Sequence, residues 1–334
     1  MSDTTSWPAG SATGLGPLPG TDIGEAVRAV VGELPELPFV PALPARGVGA
    51  DPVGRTIALL VDIFGEVVPS GWRISRRPGM DDRRAKDFRQ WDLDAVGEHA
   101  RAAERLKIHL LGPWTLAARL ELPSGNLAVG DPGAVADLAG SLSEGLTQHL
   151  AELGRRLPGV EIAVQLEEPD LGAVLDGPIP TASGFGTLRH VPVDTVRTAL
   201  ADFVAALGER PVIAAGVPAG PLWELLRAAG FGALTGAMAD ITGRSSALLD
   251  AVGQVVQDGI RLQIELPPDA KTSTVGPALL AGWRQIGYPI EDVAGAITPT
   301  AAGGQADTIA TAVQRMKVAR DLGRALLEPP DSWL

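Results

Sequence analysis

Residues 163–170 read Ala163-Val164-Gln165-Leu166-Glu167-Glu168-Pro169-Asp170. An apolar, β-prone run ends in two carboxylates and is stopped by a proline. A strand buried on both faces of a sheet reads as a nearly continuous apolar run of this kind. Polar groups bunched at its C-terminal end stand where an open α/β sheet or a barrel keeps its site. Glu167 and Glu168 supply acceptors for an amine or guanidinium and a candidate proton acceptor, and the Gln165 amide can orient a ligand. The plainer reading is a solvated acid pair in the loop after a strand, since glutamates are mostly exposed.

Downstream of this stretch an irregular connection, holding Asp176-Gly177-Pro178 and Thr181-Ala182-Ser183-Gly184-Phe185-Gly186, reads as a lid or ligand loop. The pattern then becomes regular. Helices are expected over 193–208, 220–229, 245–257, 277–286 and 306–327, and strands over 211–215, 232–238, 260–266 and 293–298. Upstream, 12–20 is a short extended run broken by Gly and Pro, and 34–44 is too proline-rich for a helix and reads as a short strand. Asp22 with Glu25 resembles a capping box, and Asp51-Pro52 opens a second helix expected to carry Ile57, Leu60, Val61 and Phe64. Leu93 to Leu106 reads as helix, Lys107 to Leu111 as strand, and 114–121 and 133–156 as helices.

Roughly eight strands, most followed by a helix, imply parallel pairing with helices outside. In 334 residues this is α/β architecture, a single (β/α)8 TIM barrel over 13–334 with decorated loops, after a flexible N-terminus at 1–12. A doubly wound open sheet is the alternative, but Gly14-Leu15-Gly16-Pro17 does not fit its glycine fingerprint.

Composition narrows the function classes. A net charge of −12 disfavours nucleic acid or an anionic membrane as partner. The chain has no cysteine, which removes disulfides, thiolate nucleophiles and thiolate–zinc sites. No signal peptide or membrane-spanning run is read, so a soluble cytoplasmic protein is the expectation. The one basic concentration holds Arg73, Arg76 and Arg77, whose planar donors suit a carboxylate or phosphate. Lys107, opening an apolar strand, has the plain reading of a snorkelling surface lysine, and His109 that of a satisfied core histidine. Trp223 and Trp283 read as packing residues of outer helices, with a homodimer surface as the other use. Gly303-Gly304 before a helix is a weak phosphate-cradle signal.

Several strand ends resemble the C-terminal barrel domain of cobalamin-independent methionine synthase, in the wider group that includes uroporphyrinogen decarboxylase. Thr13 to Pro19 is similar to that family's opening glycine-serine-x-proline segment, and Lys107 through Gly112-Pro113-Trp114-Thr115 to its lysine-to-Gly-Pro-x-Thr strand. Gln165-Leu166-Glu167-Glu168-Pro169 is similar to its Gln-x-Asp-Glu-Pro strand, and Ile297-Thr298-Pro299-Thr300-Ala301-Ala302-Gly303 to its Thr-Pro-x-Cys-Gly strand. The resemblance implies methyl transfer from a folate to a thiol such as homocysteine, activated by zinc. It also implies that Glu167 stands where an Asp holds the substrate's amino group. Gln165, Lys107, Trp114, Thr115 and Thr298 then join the substrate-facing set. The departures are Ala301 in place of the late Cys, Val212-Ile213-Ala214-Ala215 in place of the His-x-Cys strand, and Pro17 in place of the serine. No metal site and no cofactor are therefore expected here, although the family implies zinc and folate.

Three readings stand. One is a methyl transferase using Glu167, Gln165 and Lys107. A second is a metal-free enzyme acting on an anionic small molecule, with the three arginines over the barrel mouth and Glu168 or Asp240 as proton donor. The third is a non-catalytic relative that binds a small anionic or amino-acid-like ligand or a partner.

Overall fold

The computed structural model describes residues 7–177, 179–181, 186–243, 245–304 and 308–333. Among the described residues ten strands form: β1 Thr13–Gly14, β2 Phe64–Val68, β3 Gly71–Ser75, β4 Arg105–Leu111, β5 Leu120–Glu121, β6 Glu161–Glu167, β7 Val212–Ala215, β8 Ala233–Ala237, β9 Arg261–Glu265 and β10 Ile297–Ala301. Seven of them make one parallel sheet in the order β1-β10-β9-β8-β7-β6-β4. The apolar run that opens the sequence argument is the core of β6, buried from Ile162 through Leu166.

The sheet curls into a half-barrel rather than a closed eight-stranded barrel. The expected strand at 34–44 does not form a ladder, because prolines at 35, 38, 41 and 44 remove every third donor. Residues 38–42 instead span the seam with four backbone bonds. Lys107 N donates to Pro38 O at 2.8 Å, Val40 N to Lys107 O at 2.9 Å, Ala42 N to Gly16 O at 2.9 Å, and Leu18 N to Ala42 O at 2.8 Å.

Other boundaries move for local reasons. The helix after Asp51 ends at Ile57, so Leu60 and Val61 lie outside it and Phe64 opens β2. The arginine-bearing stretch, given no element from the sequence, begins with β3, the second strand of an antiparallel β2–β3 hairpin joined in parallel by β5. Helix Met80–His99 starts well before Leu93, and Leu106 belongs to β4. Helix Thr272–Ile286 begins five residues early, and residues 293–296, expected as strand, are the short helix Val293–Ala296. The expected helix start at Ala306, like Pro178 and Ala182 to Phe185, lies outside the described residues. No described helix is long and apolar enough to cross a membrane.

Residues 7–12, expected within a flexible N-terminus, include the buried Trp7, Ser11 and Ala12. Residues 1–6 lie outside the described residues, but Trp7 is buried and its Nε1 donates to Thr298 Oγ1 at 2.9 Å. It clusters with Leu37 and with Ala163, Ile213 and Ala233, which stand toward the N-terminal ends of β6, β7 and β8. The Arg261 guanidinium lies over its ring, 5.4 Å from the centroid. Trp7 thus seals the end of the half-barrel opposite the strand C-termini. Trp223 and Trp283 are core residues, donating to Val217 O and Pro289 O, and present no surface to a second copy.

Candidate functional site

Side chains alternate along a strand, so Glu167 and Glu168 part company at the end of β6. Glu167 shares the face of Gln165. His109 Nδ1 donates to its Oε1 at 2.9 Å and Gln165 Nε2 to the same oxygen at 3.2 Å. Oε2 accepts from no described protein donor and is left to the cleft beside it. That cleft, about 390 Å³, is lined by Leu15, Pro17, Gln165, Glu167, Pro169, Ala215, Gly216, Gly303 and Gly304. Among these residues Glu167 is the one charged side chain.

Burial pushes the Glu167 carboxyl up, but the His109 hydrogen bond, with Arg55 and Gln165, outweighs it and holds the group below its ordinary value. Burial also drives His109 below its ordinary pKa, against the pull of Glu167. The pair is therefore a neutral imidazole donating to a carboxylate. His109 was expected as a satisfied core histidine; its Nδ1 instead fixes the mouth carboxylate, and its buried Nε2 has no partner. The packing is close: a Cβ on Gly16, whose φ is +131°, would lie 2.4 Å from that ring.

Beneath this layer sits Lys107, fully buried rather than snorkelling. Its Nζ donates to Gln165 Oε1 at 2.6 Å, Gly14 O at 2.7 Å and Gln263 Oε1 at 3.4 Å. Burial lowers it to about 7, with Glu167 opposing. Gln165 spends its amide on Leu15 O and Glu167, so Lys107 and Gln165 orient Glu167 from below. Lys107 has no route to a ligand. Gln263 and Glu265, two apart on β9, share the interior face, and burial raises Glu265 above its ordinary value. Sequence reading missed both, because Arg-Leu-Gln-Ile-Glu looks like any half-buried strand until its register is known.

Glu168 turns to the other side. Its Oε2 accepts from Thr115 N at 2.7 Å and its Oε1 from Trp114 N at 3.1 Å, at the start of helix Pro113–Arg119. Burial pushes it up to about 7, against the Thr115 and Trp114 donors. It anchors the helix to the sheet and does not enter the cleft, which corrects the expectation of a paired-acid site. Trp114 and Thr115, expected at the substrate, are buried with their backbone N–H groups on Glu168, and Thr115 Oγ1 accepts from Asp170 N at 3.2 Å. Asp170 is held in turn by Arg119.

The remaining candidates do not meet the cleft. Thr298 is at the sealed end under Trp7. Asp240 accepts from Ala237 N at 2.7 Å and caps a short helix outside the strand, with burial raising its pKa. Arg73 is paired with Glu66 at 2.8 Å across the hairpin, and Arg76 and Arg77 are exposed beyond it. None of the three lines the cleft. Gly303 and Gly304 do line the cleft, but Gly304 N is directed to Pro17 O at 3.3 Å.

The zinc implied by the family resemblance is not fitted by the described donors. A zinc site takes three or four N, O or S ligands. Here His109 and Glu167 are bonded to each other, β7 offers Ile213 and Ala215, and Ala301 ends β10. Among the described residues no three His, Asp or Glu come together as a metal ion requires.

The fold is similar to that of a B12-independent methionine synthase from Shewanella sp. W3-18-1 in complex with selenomethionine. That match is 12% identical, covers 95% of this chain and 97% of that chain, and has a TM-score of 0.57. A Streptomyces plicatus N-acetyl-beta-hexosaminidase in complex with Thio-NAglucal matches at 13% identity over 71% of this chain and 60% of that one. Its TM-score of 0.32 is too low to carry an argument. No family model matches the sequence, and no curated protein matches it significantly. The comparison establishes a fold: a curled parallel α/β half-barrel like that of a B12-independent methionine synthase.

Proposed function

We propose that this protein is a methionine-synthase-like barrel that binds a small amine-bearing, amino-acid-like molecule at the C-terminal mouth of its sheet. One observation carries the reading. Glu167 is held ionised by His109 and Gln165 on Oε1, while Oε2 faces an otherwise uncharged cleft. A carboxylate with one oxygen free in a partly dry site is matched by an ammonium group, because charge-assisted bonds of this kind are the strong ones. Leu15, Pro17, Pro169 and Ala215 offer apolar contact for a short side chain. The selenomethionine of the Shewanella protein is an amino acid in a protein of the same fold. At that identity it lends the idea only its chemistry.

This reading keeps the amino-group recognition implied by the family resemblance and leaves out its methyl transfer. The described donors supply no thiolate activator. The test is calorimetric titration with L-methionine and L-homocysteine beside their des-amino acids. Binding of the amino acids, weakened at least tenfold in the des-amino compounds and in Glu167→Gln, is the expected result. Equal affinity for both sets, or no binding by either, would end it.

A further inference from the structure

A second cavity lies beside β4, with His109 between it and the mouth. It measures about 50 Å³ and sits between β4 and the helices Pro52–Ile57, Met80–His99 and Pro132–Arg156. Its apolar wall includes Leu59, Phe88, Ile108 and Leu153; its polar wall is Arg55, Arg89, Asp92, His109 and His149. A void that holds one water needs about 10–15 Å³ on this measure, so this one has room for a few waters or one small ion.

The charges around it do not balance. Asp92 is the one acid in the wall, and two guanidinia already share it. Arg46 Nη1 and Nη2 reach its two oxygens at 2.8 and 3.2 Å, and Arg55 Nη1 reaches Oδ2 at 3.3 Å. Arg89 faces no acid in the cavity. Its Nη1 stands 3.4 Å from His149 Nδ1, and its buried Nε has no partner. A guanidinium is always charged, so His149 is the acceptor in that contact and stays neutral. Burial, then Arg89 and Arg55, hold it there. Glu152 attracts Arg89 from the helix it shares with His149, but it is bonded to Arg156. Three arginines thus crowd around Asp92, with Glu167 attracting Arg55 from the mouth side and the Arg156-bound Glu152 attracting Arg89. Uncompensated buried charge costs several kcal/mol per ion, so such sites take up counter-charge.

We propose that this cavity is a binding site for one small monovalent inorganic anion of the halide class, held between Arg89 and Arg55. The ion completes the charge balance of the three-helix wall. The site is distinct from the mouth, and His109 and Arg55 link the two through Glu167. Its position among the helices makes the ion structural.

The test is thermal unfolding in sodium chloride, bromide or nitrate against sodium gluconate at the same ionic strength. A saturable rise in midpoint of about 2–5 °C is expected for the small anions and none for gluconate. The rise should vanish in Arg89→Met and shrink in His149→Gln, two wall changes that leave the Arg46–Asp92 pair in place. Crystals soaked in bromide should show one anomalous peak in direct contact with the Arg89 guanidinium. An identical response to gluconate, a response retained in both variants, or a cavity filled by water alone under bromide would each overturn the proposal.

Discussion

Glu167 and Glu168 share a peptide bond but occupy opposite faces of the sheet: one carboxylate meets the cleft, and the other is buried against the first turn of helix Pro113–Arg119. Their substitutions are therefore expected to separate cleanly. Glu168→Ala leaves the Trp114 and Thr115 N–H groups buried without acceptors, at roughly 1–3 kcal/mol each. Chemical denaturation should show a loss of about 2–5 kcal/mol, with ligand affinity at the mouth unchanged where the variant is folded. Glu167→Gln should change stability by less and abolish recognition of the amine.

Gly112 is tied to the same anchor. A Cβ there would stand 2.3 Å from Glu168 Oε1, so Gly112→Ala must push the carboxylate off its donors. A loss comparable to that of Glu168→Ala is expected, and the double variant should cost little more than either single change. A simple sum of the two in denaturant melts would show that they do not act through one contact.

Lys107 predicts a pH dependence with a definite sign. Its ordinary value of 10.5 is lowered to about 7 in the folded protein. Between those values the unfolded chain binds a proton that the folded chain has shed, so this residue makes stability rise with pH. Urea midpoints between pH 7 and 10 should rise more steeply in the wild type than in Lys107→Met. A steeper rise in the variant would contradict the assignment.

His149 acts in the acid range. Its pKa falls from 6.5 to about 3 on folding. Below 6.5 the unfolded state gains a proton that the folded state refuses, so stability falls as pH drops toward 3. His149→Gln should remove part of that slope in acid denaturation profiles without affecting stability above neutrality to the same degree.

Trp7 is expected to act as a core residue despite its place near the chain start. Trp7→Ala should cost about 3–5 kcal/mol by opening a void between Leu37, Ala163, Ile213 and Ala233. Trp7→Phe keeps much of the volume but strips Thr298 of its donor, and about 1 kcal/mol is expected. Calorimetric melts of the two variants rank them.

The alternation of helix and strand from residue 193 onward was legible because each element carries its own period and is set off by Gly or Pro. Strands 212–215, 233–237 and 261–265 fall inside their expected spans. The β2–β3 hairpin was not read, although Pro69-Ser70-Gly71 between two β-prone runs is a turn signal. The arginines drew the reading toward surface chemistry instead. At the site, Glu167 and Gln165 could be named from the end of one strand. What separates Glu167 from Glu168 is strand register, and what brings His109, Gln263 and Lys107 beneath it is pairing between segments up to 156 residues apart. Neither is written in any local window.

The tryptophan seal gives the molecule a front and a back. Trp7 lies at the sealed end, so a surface tether attached at that end would hold the protein by its base with the Glu167 opening facing the solution. Immobilised that way, it could serve as a sensor surface without its own attachment hiding the mouth.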